Sequence, residues 1–214
     1  DVCSSDLERR ILPFGIPVHP KFNQSLSRTD AAAQLGIDPH MRTILLMGGS
    51  MGYADHVKIL EKLTGIGLPL QLLVVCGNNK KMQLRVEQFA SRYEGNCVVK
   101  PYGFVHNVEV MMSASDCIVS KPGGLTVSEA LAKNLPMLLV DPIPGHEERN
   151  VEFLVNNGMA ALITKHFPID EAIYELFRNP VRLQTVRQTM QAIAHPDATE
   201  RLADFVLQQQ NQKA

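Results

Sequence analysis

From residue 43 onward the chain alternates a short apolar run with a stretch of helical patterning, and it does so through six runs. The runs lie at 43–47, 70–76, 97–99, 116–120, 136–140 and 160–164. Most are apolar throughout rather than alternating, which is the pattern of a strand buried on both faces. Helical patterning follows at 55–63, at 82–90 (Met82, Leu84, Val86, Phe89, Ala90), at 108–113, at 127–133 and at 147–156. Two or three more helices are predicted within 168–208, divided near Asn179-Pro180 and His195-Pro196, before a polar tail from Gln208. This rhythm predicts an α/β fold: a Rossmann-like, six-stranded parallel sheet with helices on both faces. Right-handed crossovers then put ligands at the C-terminal ends of the strands.

The loops expected at that edge are 48–52, 77–79, 103–105, 121–126 and 141–148, and the glycines and polar residues concentrate in them. The opposite connections, such as 64–69, are plainer. The densest of the five is Ser120-Lys121-Pro122-Gly123-Gly124-Leu125-Thr126-Val127-Ser128-Glu129. Two glycines between strand and helix let backbone N–H groups approach a ligand with no Cβ in the way. The helix start behind them offers unpaired N–H donors and the positive end of the dipole, which suits a phosphate. Thr126 and Ser128 could cap that helix or donate to the same anion, and Glu129 could accept from a sugar hydroxyl. The plain alternative is a Gly-rich loop that merely turns strand into helix. The clustering of such loops on one edge favours the ligand.

Composition narrows the classes. The 214 residues are 45% hydrophobic and 20% charged, with 14 Gly and 13 Pro, as in an ordinary globular chain. A net charge of −1 offers no electrostatic footprint for nucleic acid. No apolar run approaches the roughly 20 residues of a spanning helix, and the start shows no basic-then-apolar leader. The four cysteines (Cys3, Cys76, Cys97, Cys117) contain no C-x-x-C pair, and reduced thiols of a cytoplasmic protein are expected. There is no G-x-x-x-x-G-K-[ST], no G-x-S-x-G and no H-E-x-x-H, and the 48–52 loop is only a distant cousin of G-x-G-x-x-G. No Asp-x-Asp pair is available to hold a divalent ion against a diphosphate, so no metal or other cofactor is expected. His56, His166 and His195 have no partner in sequence.

The expected organisation has four parts. Residues 1–7 reverse-translate to GAC GTG TGC TCT TCC GAT CT, which looks like a sequencing adapter, and they are expected to be non-native read-through. Residues 8–42 read as an interdomain linker with a short helix. Residues 43–195 read as the ligand-binding Rossmann-like domain, and 196–214 as a C-terminal helix and tail.

Several segments carry a resemblance in order: Gly15-Ile16-Pro17-Val18, Leu46 to Gly52, Val75-Cys76-Gly77-Asn78, Gly103-Phe104-Val105, Ser115-Asp116, Ser120 to Ala130, and Asp141-Pro142-Ile143-Pro144-Gly145-His146-Glu147-Glu148-Arg149-Asn150. Over 13–165 the chain resembles the C-terminal half of the diacylglycerol glycosyltransferases: the monogalactosyldiacylglycerol synthases and processive diacylglycerol glucosyltransferases. The peptidoglycan N-acetylglucosaminyltransferase acting on lipid I is a more distant relative. The resemblance implies a GT-B fold whose C-terminal domain binds a UDP-sugar. It implies that Phe104 and Val105 read uracil through their backbone. Gly123, Gly124, Leu125 and Thr126 would hold the diphosphate, with Gly49 and Ser50 on its other side. Glu129 would bind ribose, and His146 and Glu147 the donor sugar. His146 stands where relatives usually carry Gln, which bears on donor choice. His19 stands where many carry Arg facing the phosphates, and is a candidate phosphate contact.

The implied reaction is an inverting hexosyl transfer from a UDP-sugar to a lipid, diacylglycerol foremost, with the catalytic base in an N-terminal domain and none in this chain. The fragment alone is then expected to bind donor without turnover. Alternatives are a stand-alone nucleotide-sugar-binding subunit that needs a separate membrane-associated partner, and a GT-B-like UDP-sugar epimerase. The implied location is cytoplasmic, with peripheral association on the inner membrane face in a full-length protein.

Overall fold

The strands pair in the order β3-β2-β1-β4-β5-β6, every pair parallel. The computed structural model describes residues 11–48 and 55–211. Its strands are β1 Arg42–Met47, β2 Leu70–Val75, β3 Val98–Tyr102, β4 Cys117–Ser120, β5 Met137–Leu139 and β6 Ala160–Leu162. The helices are α1 Arg28–Leu35, α2 His56–Gly65, α3 Lys80–Arg92, α4 Val108–Ala114, α5 Gly124–Ala132, α6 Glu148–Asn156, α7 Ile169–Arg178, α8 Pro180–Ile193 and α9 Ala198–Asn211. The 168–208 region holds three helices, broken at Asn179-Pro180 and His195-Pro196. Pro180 supplies the first helical residue of α8, where a missing N–H costs nothing.

Central strands are buried on both faces, because helices cover both. Ile44, Leu46, Leu72 and Val74 face a core layer with Leu60 and Leu63 of α2 and Ile173 of α7. Leu45, Leu73, Ile118 and Leu139 face the other layer, with Met111 and Met112 of α4 and Leu154 of α6. The two-faced burial read from sequence does not extend to β3 and β6. Both are edge strands and are only half-buried. Pro101 sits in β3, where an edge position tolerates a residue without an N–H.

The segment before β1 packs on this body. Val18 and Phe22 are 7% and 3% exposed and belong to the second core layer. A 3-10 turn, Pro20–Phe22, carries Phe22 inward. Gly15 has φ +87, and a Cβ there would stand 3.0 Å from His195 Cβ, so both conformation and space require glycine.

At the opposite edge from the ligand loops, Asp116 ends the connection into β4 with 2% exposure. It accepts from Arg28 (2.9 and 3.0 Å), Arg42 Nη1 (2.9 Å) and the Thr43 N–H (2.8 Å). Burial alone would raise its carboxyl; the two guanidiniums and the N–H outweigh that and hold it below the usual range. This node ties α1, β1 and β4 together.

Candidate functional site: the C-terminal sheet edge

The strand order reverses direction between β1 and β4, and such a reversal opens a crevice at the C-terminal ends of the two strands. The loop that leaves β4 is the Gly123-Gly124 loop. The loop that leaves β1 carries Gly49 and Ser50, which lie outside the described residues, as do residues 1–7.

Helix α5 begins at Gly124, three residues before the predicted start, with Gly123 as its N-cap. The capping role considered for Thr126 and Ser128 is therefore not taken up: both lie inside the helix. A glycine cap has no side chain to accept an N–H, and the first turn holds no acidic residue. The N–H groups of Gly124, Leu125 and Thr126 thus open the helix with no carbonyl one turn before them. Gly123 adopts φ −66, ψ 137, ordinary extended backbone, and Gly124 has no positive φ either. The chain could make this turn without glycine, so the plain turn reading loses its main support. Space is tight at only one of the two: a Cβ at Gly124 would lie 3.3 Å from Ile16 Cδ1, whereas one at Gly123 would meet Glu147 Oε1 at 3.6 Å, an ordinary contact.

Glu147 therefore borders the loop that would hold a diphosphate. Its other oxygen accepts from the Ile143 N–H at 2.7 Å, and Glu148 accepts from the Gly145 N–H at 3.0 Å. These bonds fold 141–148 against the start of α6, with Gly145 at φ +82. Asn150 Nδ2 donates to the Pro122 carbonyl at 2.8 Å, fastening α6 to the β4 loop. His146 is exposed beside Glu147.

Glu129 is half-buried on α5. Burial pushes its carboxyl pKa up, the Lys21 charge pulls it down and the Glu109 charge pushes it up, with a net rise. After β3, Phe104 is 60% exposed and meets the His106 ring edge-on at 4.9 Å between centroids. Val105 beside it is half-buried. His19 accepts the Lys21 N–H through Nδ1 at 3.2 Å, capping the 3-10 turn.

The structure thus brings Gly123, Gly124 and Glu147 together directly, with Ile16 over Gly124, and links the Phe104–Val105 loop to Lys21 through the His106 carbonyl. The sequence gives Ile16 a place in the Gly15–Val18 motif but no site role, and gives Lys21 neither. Their segment lies over 80 residues from the loops it touches, and spacing carries no sign of the contact. Leu125 (64%), Phe104 and Ile143 (40%) give these loops an exposed apolar rim. An apolar groove of about 500 Å³, lined by Met137, Ala160, Phe167 and Val181 among others, lies at the far end of β5 and β6 and holds none of these residues. Among the described residues no three His, Cys, Asp or Glu side chains converge as a metal cluster, and no helix is long and apolar enough to cross a membrane.

A family model described as the glycosyltransferase family 28 C-terminal domain matches residues 43–202. The chain is 26% identical over 195 residues to a processive diacylglycerol beta-glucosyltransferase of Bacillus pumilus (strain SAFR-032), covering 91% of this chain and 50% of that protein. It is 33% identical over 198 residues to the chloroplastic monogalactosyldiacylglycerol synthase of Spinacia oleracea, covering 88% and 37%. In fold it is similar to Acinetobacter baumannii MurG, with TM-score 0.71 at 21% identity, covering 87% of this chain and 55% of that one. The chain spans about half the length of the processive relatives it matches. These matches and the parallel sheet agree: the chain belongs to the glycosyltransferase family 28 C-terminal domains.

Proposed function

We propose that this chain is the donor-binding half of an inverting hexosyltransferase that uses a UDP-sugar and delivers the sugar to a lipid hydroxyl, diacylglycerol foremost. The observation that carries the reading is the uncapped start of α5 at the sheet's switch point, behind two glycines that the backbone conformation does not require. The N–H groups of Gly124, Leu125 and Thr126 hold the diphosphate and stabilise the charge that develops on UDP as the glycosidic bond breaks. Glu129 accepts from the ribose hydroxyls. Glu147, one oxygen already tied to Ile143, and His146 contact the hexose. The backbone at Phe104 and Val105 reads uracil, Gly49 and Ser50 approach the diphosphate from the β1 loop, and His19 remains a candidate phosphate contact.

The base that deprotonates the acceptor, and the lipid groove, are assigned to the half of the relatives' length that this chain does not span. Residues 43–195 form the donor unit in this reading. Turnover is expected only with the other half present, with peripheral attachment to the inner face of the membrane. Because helix N–H groups meet the phosphates, UDP is expected to bind without added metal, and EDTA to leave its affinity unchanged in calorimetry. Glu129→Ala is expected to lower the preference for UDP over dUDP; if variant and wild type discriminate the two equally, the ribose assignment is wrong.

A further inference from the structure

Lys21 lies outside every role given above, yet the loop after β3 and the start of α4 meet at it. It rides on the Pro20–Phe22 turn, which is held by the buried Phe22 side chain and by the His19 cap. Its Nζ donates to the His106 carbonyl at 2.7 Å, two residues beyond Phe104 and one beyond Val105. The same Nζ stands 2.8 Å from Glu109 Oε2 on the first turn of α4. The side chains are 31% and 18% exposed, so the pair is partly shielded from water. Its charge also pulls the Glu129 carboxyl down, against the larger effect of burial. One ammonium therefore joins a loop carbonyl to a carboxylate of α4. Lys133, one turn further along α5, bonds the Gln24 carbonyl at 2.8 Å instead.

We propose that Lys21 is a positioning residue for the nucleoside end of the donor, pinning the loop after β3 to α4. The inference rests on the reading of Glu129 as the ribose acceptor. Ionised Glu129 accepts two hydroxyl hydrogen bonds; protonated, it loses acceptor capacity. The Lys21 charge favours the ionised form in a half-buried setting, and Glu109 opposes that. The uracil loop and the ribose carboxylate are thereby set by one side chain from the segment ahead of β1.

The test is the pH profile of the UDP-over-dUDP affinity ratio, measured by calorimetry on the full 214-residue chain. The ratio cancels titrations that affect both ligands alike. In the wild type the ratio should fall as pH drops through the Glu129 transition. Lys21→Met, which keeps a side chain of similar length without the charge, should move that midpoint up. It should also weaken UDP while leaving inorganic pyrophosphate binding unchanged. Glu109→Gln should move the midpoint down, and Lys21→Arg should restore it toward wild type. Opposite shifts from two partners of one ion pair are not produced by a merely structural role. A wild-type preference whose midpoint is unmoved by either substitution overturns the role of Lys21 alone. If the wild type shows no preference for UDP over dUDP, the ribose reading of Glu129 fails, and this inference with it.

Discussion

Gly123 shows how a single residue separates folding from binding. Its backbone sits where any residue is at ease, and an added Cβ would find only Glu147 Oε1, at ordinary contact distance. Gly123→Ala is therefore expected to change stability by less than about 0.5 kcal/mol in chemical denaturation. The same methyl would occupy the space between the helix start and Glu147, where the diphosphate and hexose are proposed to lie. UDP-hexose affinity is expected to fall about tenfold or more, equivalent to at least about 1.4 kcal/mol. A variant that binds normally but unfolds early would make Gly123 a structural glycine. The motif was legible in the sequence, because Pro122 and two glycines between an apolar run and a helix are local signals. The helix start was misjudged by three residues, because the periodic apolar residues begin at Val127 while the hydrogen-bond ladder begins earlier.

At the level of elements, the junction of β2 with α2 holds a pair the sequence did not suggest. His56 opens α2 and is fully buried, its Nδ1 3.7 Å from Sγ of Cys76 just past β2. Its Nε2 is buried with no hydrogen-bond partner among the described residues. Burial pulls the imidazole pKa down to about 4 against a smaller opposing pull from Asp55, and burial pushes the Cys76 thiol up to about 11. Both groups are therefore neutral at pH 7. The folded imidazole binds its proton less well than the unfolded one, whose pKa is 6.5. Its stabilising contribution is complete above pH 6.5 and is lost as pH falls toward 4. Between pH 7 and pH 5 this group should cost about 2 kcal/mol of folding stability. Glu129, with a raised pKa, acts with the opposite sign above its unfolded value of 4.5, as its contribution fades on raising the pH. The informative quantity is thus the difference between wild type and His56→Gln, measured by denaturant titration at the two pH values. The variant should lose about 2 kcal/mol less; parallel losses would place the acid sensitivity elsewhere.

For the molecule as a whole, the two edges of the sheet divide the work. The C-terminal edge carries the loops of the candidate site, and the opposite edge carries the Asp116 node that joins α1, β1 and β4. Removing one member of a buried charged network leaves its partners uncompensated. Asp116→Ala is expected to cost about 3 kcal/mol, the low end for such a loss, because Arg28 and Arg42 are partly solvated. UDP affinity should be unchanged at temperatures where the variant is folded, since the node is at the edge away from the ligand loops. A matching loss of affinity in the folded variant would show the edges to be coupled.

The sequence by itself determined the class of fold, the parallel sense of the strands and the edge at which ligands gather. Those follow from local periodicity and from crossover geometry, which are written in spacings of a few residues. It also marked the diphosphate loop, because glycine placed between strand and helix is a local signal. Only the tertiary structure decided the strand order, and with it that the C-terminal ends of β1 and β4 flank the crevice. It alone set Glu147 beside Gly123, Lys21 between the β3 loop and Glu109, and His56 against Cys76. Those neighbours depend on which strand each crossover joins and on which side chains then share a layer. Burial, not spacing, sets their charges, and no interval along the chain records it.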